Sequence, residues 1–288
     1  MPSVVSVLPV FPAGRSRIDE PEGSGAAILD GRHILTAMHV VDGADRVMVR
    51  TSEGDIVDAL VMGSDYFTDV AVLRLDTSLP PLSIRGDAEL GEPVCALGNA
   101  FGLGLTVACG IVSGVHKAGI GFNRIEDFVQ TDAAVNPGVS GGALIDDEGN
   151  LVGLVSAIFT KTSDANIGVN FAVAAPLVER VVGEILETGT FEPPPTGLEL
   201  GPWPPFGEEG RQSAEILEID PRSPVALAGL RVGDRIVMAA DRRIRRPDDY
   251  VSAVVRLDPS EPFEVEFERA GKSVTVTVAP PAGAAANQ

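Results

Sequence analysis

TDAAVNPGVSGGAL, residues 131–144, sets Ser140 among three glycines. The run Gly138-Val139-Ser140-Gly141-Gly142 satisfies two different patterns. As G-x-S-x-G it is the nucleophile elbow of α/β-hydrolases, which keep their histidine downstream of the serine and alternate helices with parallel strands. As G-x-S-G-G it is a serine whose neighbouring backbone N–H groups can turn inward, where a side chain would obstruct them. The chain has 3 histidines, His33, His39 and His116, and all of them precede Ser140. Residues 1–175 also show almost no helical period. The elbow reading fails on both counts.

Working outward, LTAMHVV carries His39 and TDVAVLRL carries Asp69. A hydroxyl nucleophile needs a base to take its proton and a carboxylate to hold that base in the right tautomer. The order His…Asp…Ser is the chymotrypsin arrangement, whereas subtilisin runs Asp…His…Ser. Taken singly, each residue has a bland alternative: a core histidine, a turn-capping aspartate, a turn serine. Three motifs in one order outweigh them. His33 reads as a surface turn residue, His116 as a loop residue and Asp132 as structural. FGLG at 101–104 is no phosphate loop, because no G-K-[ST] follows it.

The chain has 288 residues, with Gly 32 and Pro 22 spread along it and 44% hydrophobic residues. That composition suits two domains and many short strands joined by turns. The apolar runs VVSVLPVF, AAILD, HILTAMHVV, RVMVR, VAVLRL, PVCALG, TVACGIVSGV, GALID, LVGLVSAIF and VNFAVAA fit a double barrel or a sandwich. APLVERVVGEILETG then predicts a helix over 176–187, started by Pro176 and stopped by Gly189. A proline-rich linker follows at 189–195. Over 196–279, AEILEI, DRIVMAA, FEVEFERA and SVTVTVA read as strands, with helices in SPVALAGL and at 247–257. WPPFGEEGRQ reads as a loop, and 280–288 as a flexible tail. Cys95 and Cys109 read either as two small buried thiols or as one bridge between neighbouring strands.

These segments together resemble the HtrA (Deg) family of trypsin-like serine proteases with a C-terminal PDZ domain. The resemblance runs through GSGAAILDGRHILTAMHVVDGAD, GSDYFTDVAVLRL, PVCALGNAFGLGLTVACGIVSG, QTDAAVNPGVSGGALIDDEGNLVGLVSAIF and DPRSPVALAGLRVGDRIVMAADRRI. It implies a predominantly all-β chain: a chymotrypsin-like double β-barrel protease domain at 1–188 and a small α+β PDZ domain at 196–279. It further implies His39 as general base, Asp69 as its orienting group and Ser140 as nucleophile, with Gly138 and Ser140 N–H groups as the oxyanion hole. Ser156, with Ala157 beside it, resembles the strand that pairs with substrate backbone. Ala134, lacking charge, would line a pocket for a small or medium apolar residue before the cleaved bond. In the PDZ domain a peptide would lie along strand 214–219 and helix 247–257, touching Ile216, Tyr250 and Val254, with its carboxylate near Gly197 and Leu198.

The implied activity is endopeptidase action on unfolded or damaged protein, with C-terminal peptides as PDZ ligands and no cofactor or metal. The alternative is a catalytically idle chaperone or scaffold. Val139 favours the idle reading, because the family usually places Asn there; Ala143 likewise replaces a usual proline. AGIGFNRIEDF (118–128) is the candidate regulatory loop. A homotrimer or higher oligomer is expected, with Leu8, Val10 and Phe11 as interface residues. The net charge of -19 argues against nucleic-acid and anionic-membrane partners. With no signal-like N-terminus and no long apolar run, the expected location is the cytoplasm, or the periplasm or exterior for a trimmed N-terminus.

Overall fold

The computed structural model describes residues 2–12, 22–158, 168–205 and 209–280. The chain divides into two compact units, Met1–Phe191 and Glu192–Gln288.

The first unit contains two closed antiparallel barrels. The first is built from β1 (Val4–Val10), β2 (Gly23–Ile28), β3 (His33–Ala37), β4 (Arg46–Arg50), β5 (Ile56–Asp65) and β6 (Val70–Arg74). The second uses β7 (Pro93–Gly98), β8 (Thr106–Lys117), β9 (Phe128–Thr131), β10 (Ala143–Ile145), β11 (Leu151–Ile158) and β12 (Asn170–Ala174). Around the barrels the orders are β1-β2-β3-β6-β5-β4 and β7-β8-β9-β12-β11-β10, so the second repeats the first. Closure leaves neither barrel with a free strand edge. Alternation supplies the interiors: Val47 and Val49 of β4 join Val5, Val7, Ile34 and Leu73 in one core. Val94, Val112, Val129, Leu144 and Val155 fill the other.

Sequence and structure differ at three places in this unit. β5 (IVDALVMGSD) is not among the apolar runs read as strands; it forms with β4 and β6 pairing it on both sides. His39 does not continue a strand. β3 ends at Ala37, and a one-turn helix α1 (Met38–Val41) follows, closed by the Asp42 N–H donating to Met38 O at 2.9 Å. His116 lies within β8 rather than in a loop.

Of the two cysteine readings, the bridge is the one formed. Cys95 and Cys109 are direct partners in the β7–β8 ladder and are disulfide-bonded. Val94 and Ala96 point into the core, so Cys95 between them points out, and Cys109 is exposed.

The expected helix appears as α2 (Ala175–Thr188). It buries Leu177, Val178, Val181, Val182 and Ile185, and Gly189 ends it in the left-handed conformation with its N–H on Ile185 O. Val10 is 42% exposed, whereas Leu8 and Phe11 are half-buried.

The second unit is a sheet in the order β13-β14-β15-β17-β18, with β16 (Arg242–Arg243) pairing β15. Its strands are β13 (Leu198–Trp203), β14 (Ser213–Ile219), β15 (Arg235–Ala239), β17 (Phe263–Arg269) and β18 (Lys272–Val278). Two helices, α3 (Pro224–Leu227) and α4 (Pro247–Val255), complete it, α4 ending two residues short of expectation. Ile216, Ile236, Tyr250, Val265 and Phe267 form the core. Residues 281–288, most of the expected tail, lie outside the described residues.

Candidate active site

The first barrel supplies a histidine and a carboxylate by register alone. Ala37 at the end of β3 pairs with Val70 at the start of β6. The residues just beyond that pair, in α1 and before β6, must therefore meet. Met38 N–H donates to Asp69 O at 2.9 Å, and His39 follows directly. The Asp69 carboxylate takes the His39 backbone N–H on Oδ1 at 2.9 Å and lies 2.6 Å from His39 Nδ1 through Oδ2. A carboxylate is acceptor-only, so Nδ1 carries the proton and the Nε2 lone pair faces away from Asp69. Asp69 is 6% exposed and its φ is +65°, a backbone strain that aspartate tolerates better than most residues.

The second barrel reaches the same carboxylate. Ser156 Oγ donates to Asp69 Oδ2 at 3.0 Å. Ser156 sits at an irregularity of β11, where the pairing with β12 shifts between Val155 and Ala157. The Ser156 side chain thereby completes the Asp69 environment, a role separate from any pairing of its backbone with substrate. Ala157 pairs with Phe171 across the ladder.

Ser140 lies on the loop between β9 and β10. Gly141 N–H donates to Val155 O at 2.7 Å, and Ser24 N–H of β2 donates to Ser140 O at 2.9 Å. One residue after Ser140 is thus bonded to the strand that touches Asp69. Two glycines here are obligatory. Gly138 has φ +95°, and a Cβ on it would run into Asn99 O; Gly141 has φ +83°, and a Cβ would strike Ser24 O and Thr36 Oγ1.

The peptide units that carry the Gly138 and Ser140 N–H groups are held by their opposite ends. Phe101 N–H donates to Pro137 O at 2.7 Å and Gly142 N–H to Val139 O at 2.8 Å. Both peptides are trans, so each N–H points away from its pinned carbonyl. Neither N–H donates to another backbone group among the described residues. Val139, 3% exposed, packs in the core of the second barrel with Val94 and Leu144. It anchors the loop by burial, at the position where the family usually places Asn. Asp132 Oδ1 accepts from Ile111 N–H, a structural bond, and Ala134 is exposed.

Beside His39 opens a cleft of about 210 Å³ lined by Met38, Tyr66, Phe122, Asn123 and Arg124. The 118–128 loop forms its wall. Glu126 accepts the N–H groups of Ile120, Gly121, Phe122 and Asn123, Asn123 Nδ2 donates to Thr68 O at 2.9 Å, and Ile125 N–H donates to Phe67 O at 2.9 Å. This loop is fastened to the residues immediately before Asp69.

In the second unit, a cleft of about 290 Å³ is lined by Gly197, Ser223, Tyr250, Val254, Leu257 and Phe263, among others. Burial pushes the Tyr250 phenol well above its ordinary pKa, so it stays protonated. The expected groove needs one correction. β14 pairs with β13 on one side and β15 on the other, and Ile216 is wholly buried. An interior strand has no open backbone to offer. β13, which begins at Leu198, is the edge strand beside α4.

Residues 23–154 match the trypsin-like peptidase domain and residues 166–279 the PDZ domain. The serine endoprotease DegS of Salmonella typhimurium is 30% identical over 268 residues, covering 89% of this chain and 75% of that one. The chain belongs to the HtrA-type serine endoproteases. A solved HtrA-type protease, AlgW with a tripeptide, superposes with a TM-score of 0.73 at 32% identity, covering 98% of this chain and 96% of that one. A probable periplasmic serine endoprotease, DegP-like, of Halomonas elongata is 32% identical over 283 residues; this HtrA-type chain spans 59% of that relative's length. The expected cytoplasmic location is overturned: relatives of this HtrA-type chain are named periplasmic. Among the described residues, no helix is long and apolar enough to cross a membrane.

Proposed function

We propose that this HtrA-type chain hydrolyses peptide bonds with Ser140 as nucleophile, His39 as base and then acid, and Asp69 as orienting carboxylate. The observation that carries the reading is the Asp69 carboxylate. It takes both the backbone and the ring of His39 and is steadied by Ser156 from the other barrel. In acylation, His39 Nε2 takes the Ser140 proton as Oγ bonds to the scissile carbonyl carbon. The resulting oxyanion is met by the Gly138 and Ser140 N–H groups. His39 then gives its proton to the leaving amine. Water repeats the sequence on the acyl-enzyme and restores Ser140.

Unfolded or damaged proteins in the periplasm are the proposed substrates. Uncharged Ala134 favours a small or medium apolar residue before the cleaved bond. The bonded Cys95–Cys109 pair suits an oxidising compartment. The second unit would take a C-terminal peptide against edge strand β13, with its end near Gly197 and its side chains toward Tyr250 and Val254. A trimer through the N-terminal strand, with exposed Val10 at the contact, is the proposed assembly. The idle-scaffold reading loses its support, because Val139 is a buried anchor of the loop.

A fluorophosphonate probe tests the reading. Labelling of the folded wild type that disappears in Ser140→Ala supports it, and a folded wild type that takes no label refutes it.

A further inference from the structure

Four successive carbonyls of the nucleophile loop are held. Pro137 O is held by Phe101 N–H, Gly138 O by Ser24 Oγ at 2.7 Å, Val139 O by Gly142 N–H, and Ser140 O by Ser24 N–H at 2.9 Å. Two of the four bonds come from one residue of the opposite barrel. Ser24 lies on β2 and is 0% exposed. Its hydroxyl both donates and accepts. Asn99 N–H donates to Ser24 Oγ at 2.8 Å, which leaves the hydroxyl proton for Gly138 O. The Ser24 carbonyl in turn takes the Thr36 hydroxyl of β3 at 2.7 Å.

The arrangement matters because Gly138 has no side chain to hold it. A glycine at φ +95° rotates more freely than any other residue. The peptide unit between Gly138 and Val139 joins the two units whose N–H groups face the developing oxyanion. Each peptide unit is a rigid plane that turns only about its Cα atoms, so holding the middle carbonyl narrows the angle between the two donors.

We propose that Ser24 is a positioning residue for the oxyanion hole: its hydroxyl and N–H, reaching across from the first barrel, set the direction of the Gly138 and Ser140 donors. The proposal rests on Ser140 being the nucleophile.

Ser24→Ala in the full chain removes the hydroxyl and keeps the backbone bond to Ser140. Three quantities are read: kcat and KM on a fluorogenic peptide, the inhibition constant of a peptide aldehyde, and the thermal midpoint. The aldehyde's hemiacetal oxygen occupies the oxyanion place, so it reports donor geometry directly. Loss of a single oxyanion donor costs about 10²–10³ in rate, and a misdirected donor costs less. The expected fall in kcat is roughly 10- to 100-fold, with KM within about threefold and the aldehyde weakened in parallel with kcat/KM. Ser24→Cys keeps the size and a weak donor, so its kcat should lie between the two. It carries the decision where Ser24→Ala fails to fold.

The proposal is overturned by a folded variant whose kcat and aldehyde affinity match wild type. It is equally overturned by a kcat loss with unchanged aldehyde affinity, the mark of a merely structural role. A wild type that is unlabelled by fluorophosphonate, or activity that survives Ser140→Ala, removes the nucleophile reading itself. Ser140-dependent activity untouched by Ser24→Ala removes only the role of Ser24.

Discussion

Ser156 Oγ donates to Asp69 Oδ2 at 3.0 Å, a bond from β11 of the second barrel to the mouth of β6 in the first. It meets the same carboxylate oxygen that His39 Nδ1 approaches at 2.6 Å. Ser156→Ala should lower kcat/KM by about tenfold or more, as expected for one lost bond of about 1.5–3 kcal/mol to a charged group. Steady-state kinetics on a short peptide check this. An unchanged kcat/KM would mean that His39 alone orients Asp69.

Asp69→Asn should be far more damaging. The amide NH₂ can face Nδ1 and so favour the tautomer with its proton on Nε2, where the base function is lost. The expected fall in kcat is on the order of 10⁴-fold. A fall of tenfold or less at neutral pH would exclude Asp69 as the orienting group.

The disulfide between β7 and β8 closes a loop with a sequence separation of 14. Cross-linking a loop of that length removes unfolded-state entropy worth about 3 kcal/mol. The double variant Cys95→Ser, Cys109→Ser should lose about that much stability in urea denaturation. Dithiothreitol should do the same to the wild type and nothing further to the variant.

Asp146, just after β10, is buried, which by itself raises its pKa. The Asn150 side-chain and backbone donors and the Arg85 guanidinium outweigh burial and hold the carboxyl below its ordinary 3.8. A depressed carboxylate contributes stability that is complete above its unfolded pKa and is lost as pH falls through the folded one. Asp146→Asn should therefore cost about 2 kcal/mol at pH 7, with the gap to wild type closing below about pH 4. Urea denaturation at several pH values reads the convergence; a constant gap would contradict it.

Val254 lines the cleft of the second unit beside edge strand β13. Val254→Glu puts a charge where an apolar side chain of the ligand would sit. Binding of a fluorescent peptide with a free carboxy terminus should weaken at least tenfold by polarisation, about 1.4 kcal/mol. Equal affinity would move the ligand off this cleft.

His39 and Asp69 each stand in a short motif, and the structure joins them through the Asp69 carboxylate; Ser140 stands in a third motif, and its role as nucleophile is proposed. The helix over 176–187 was legible from its apolar face and its Pro176 and Gly189 ends. β5 was not, since only one of its ten residues is buried and the strand is paired by its neighbours on both sides. The groove strand was misplaced on Ile216 because edge and interior are properties of sheet order, which apolar patterning does not encode. Ser24 gave no signal at all: its partner Gly138 lies 114 residues away. Ser156 gave a partial one, since nothing in GLVSAIF shows that an irregular pairing turns its hydroxyl toward Asp69. The local chemistry was readable; the bonds between barrels were not.

The clamps on the nucleophile loop are shared between barrels, with Ser24 from the one made first and Phe101 from the one made later. With Ser140 as nucleophile, a chain still being synthesised holds His39 and Asp69 long before it holds anything to activate. The donors stay unaimed until both barrels have closed on each other. On the proposed role of Ser24, the closing of the two barrels on each other is then both the completing step of the fold and the step that switches the site on.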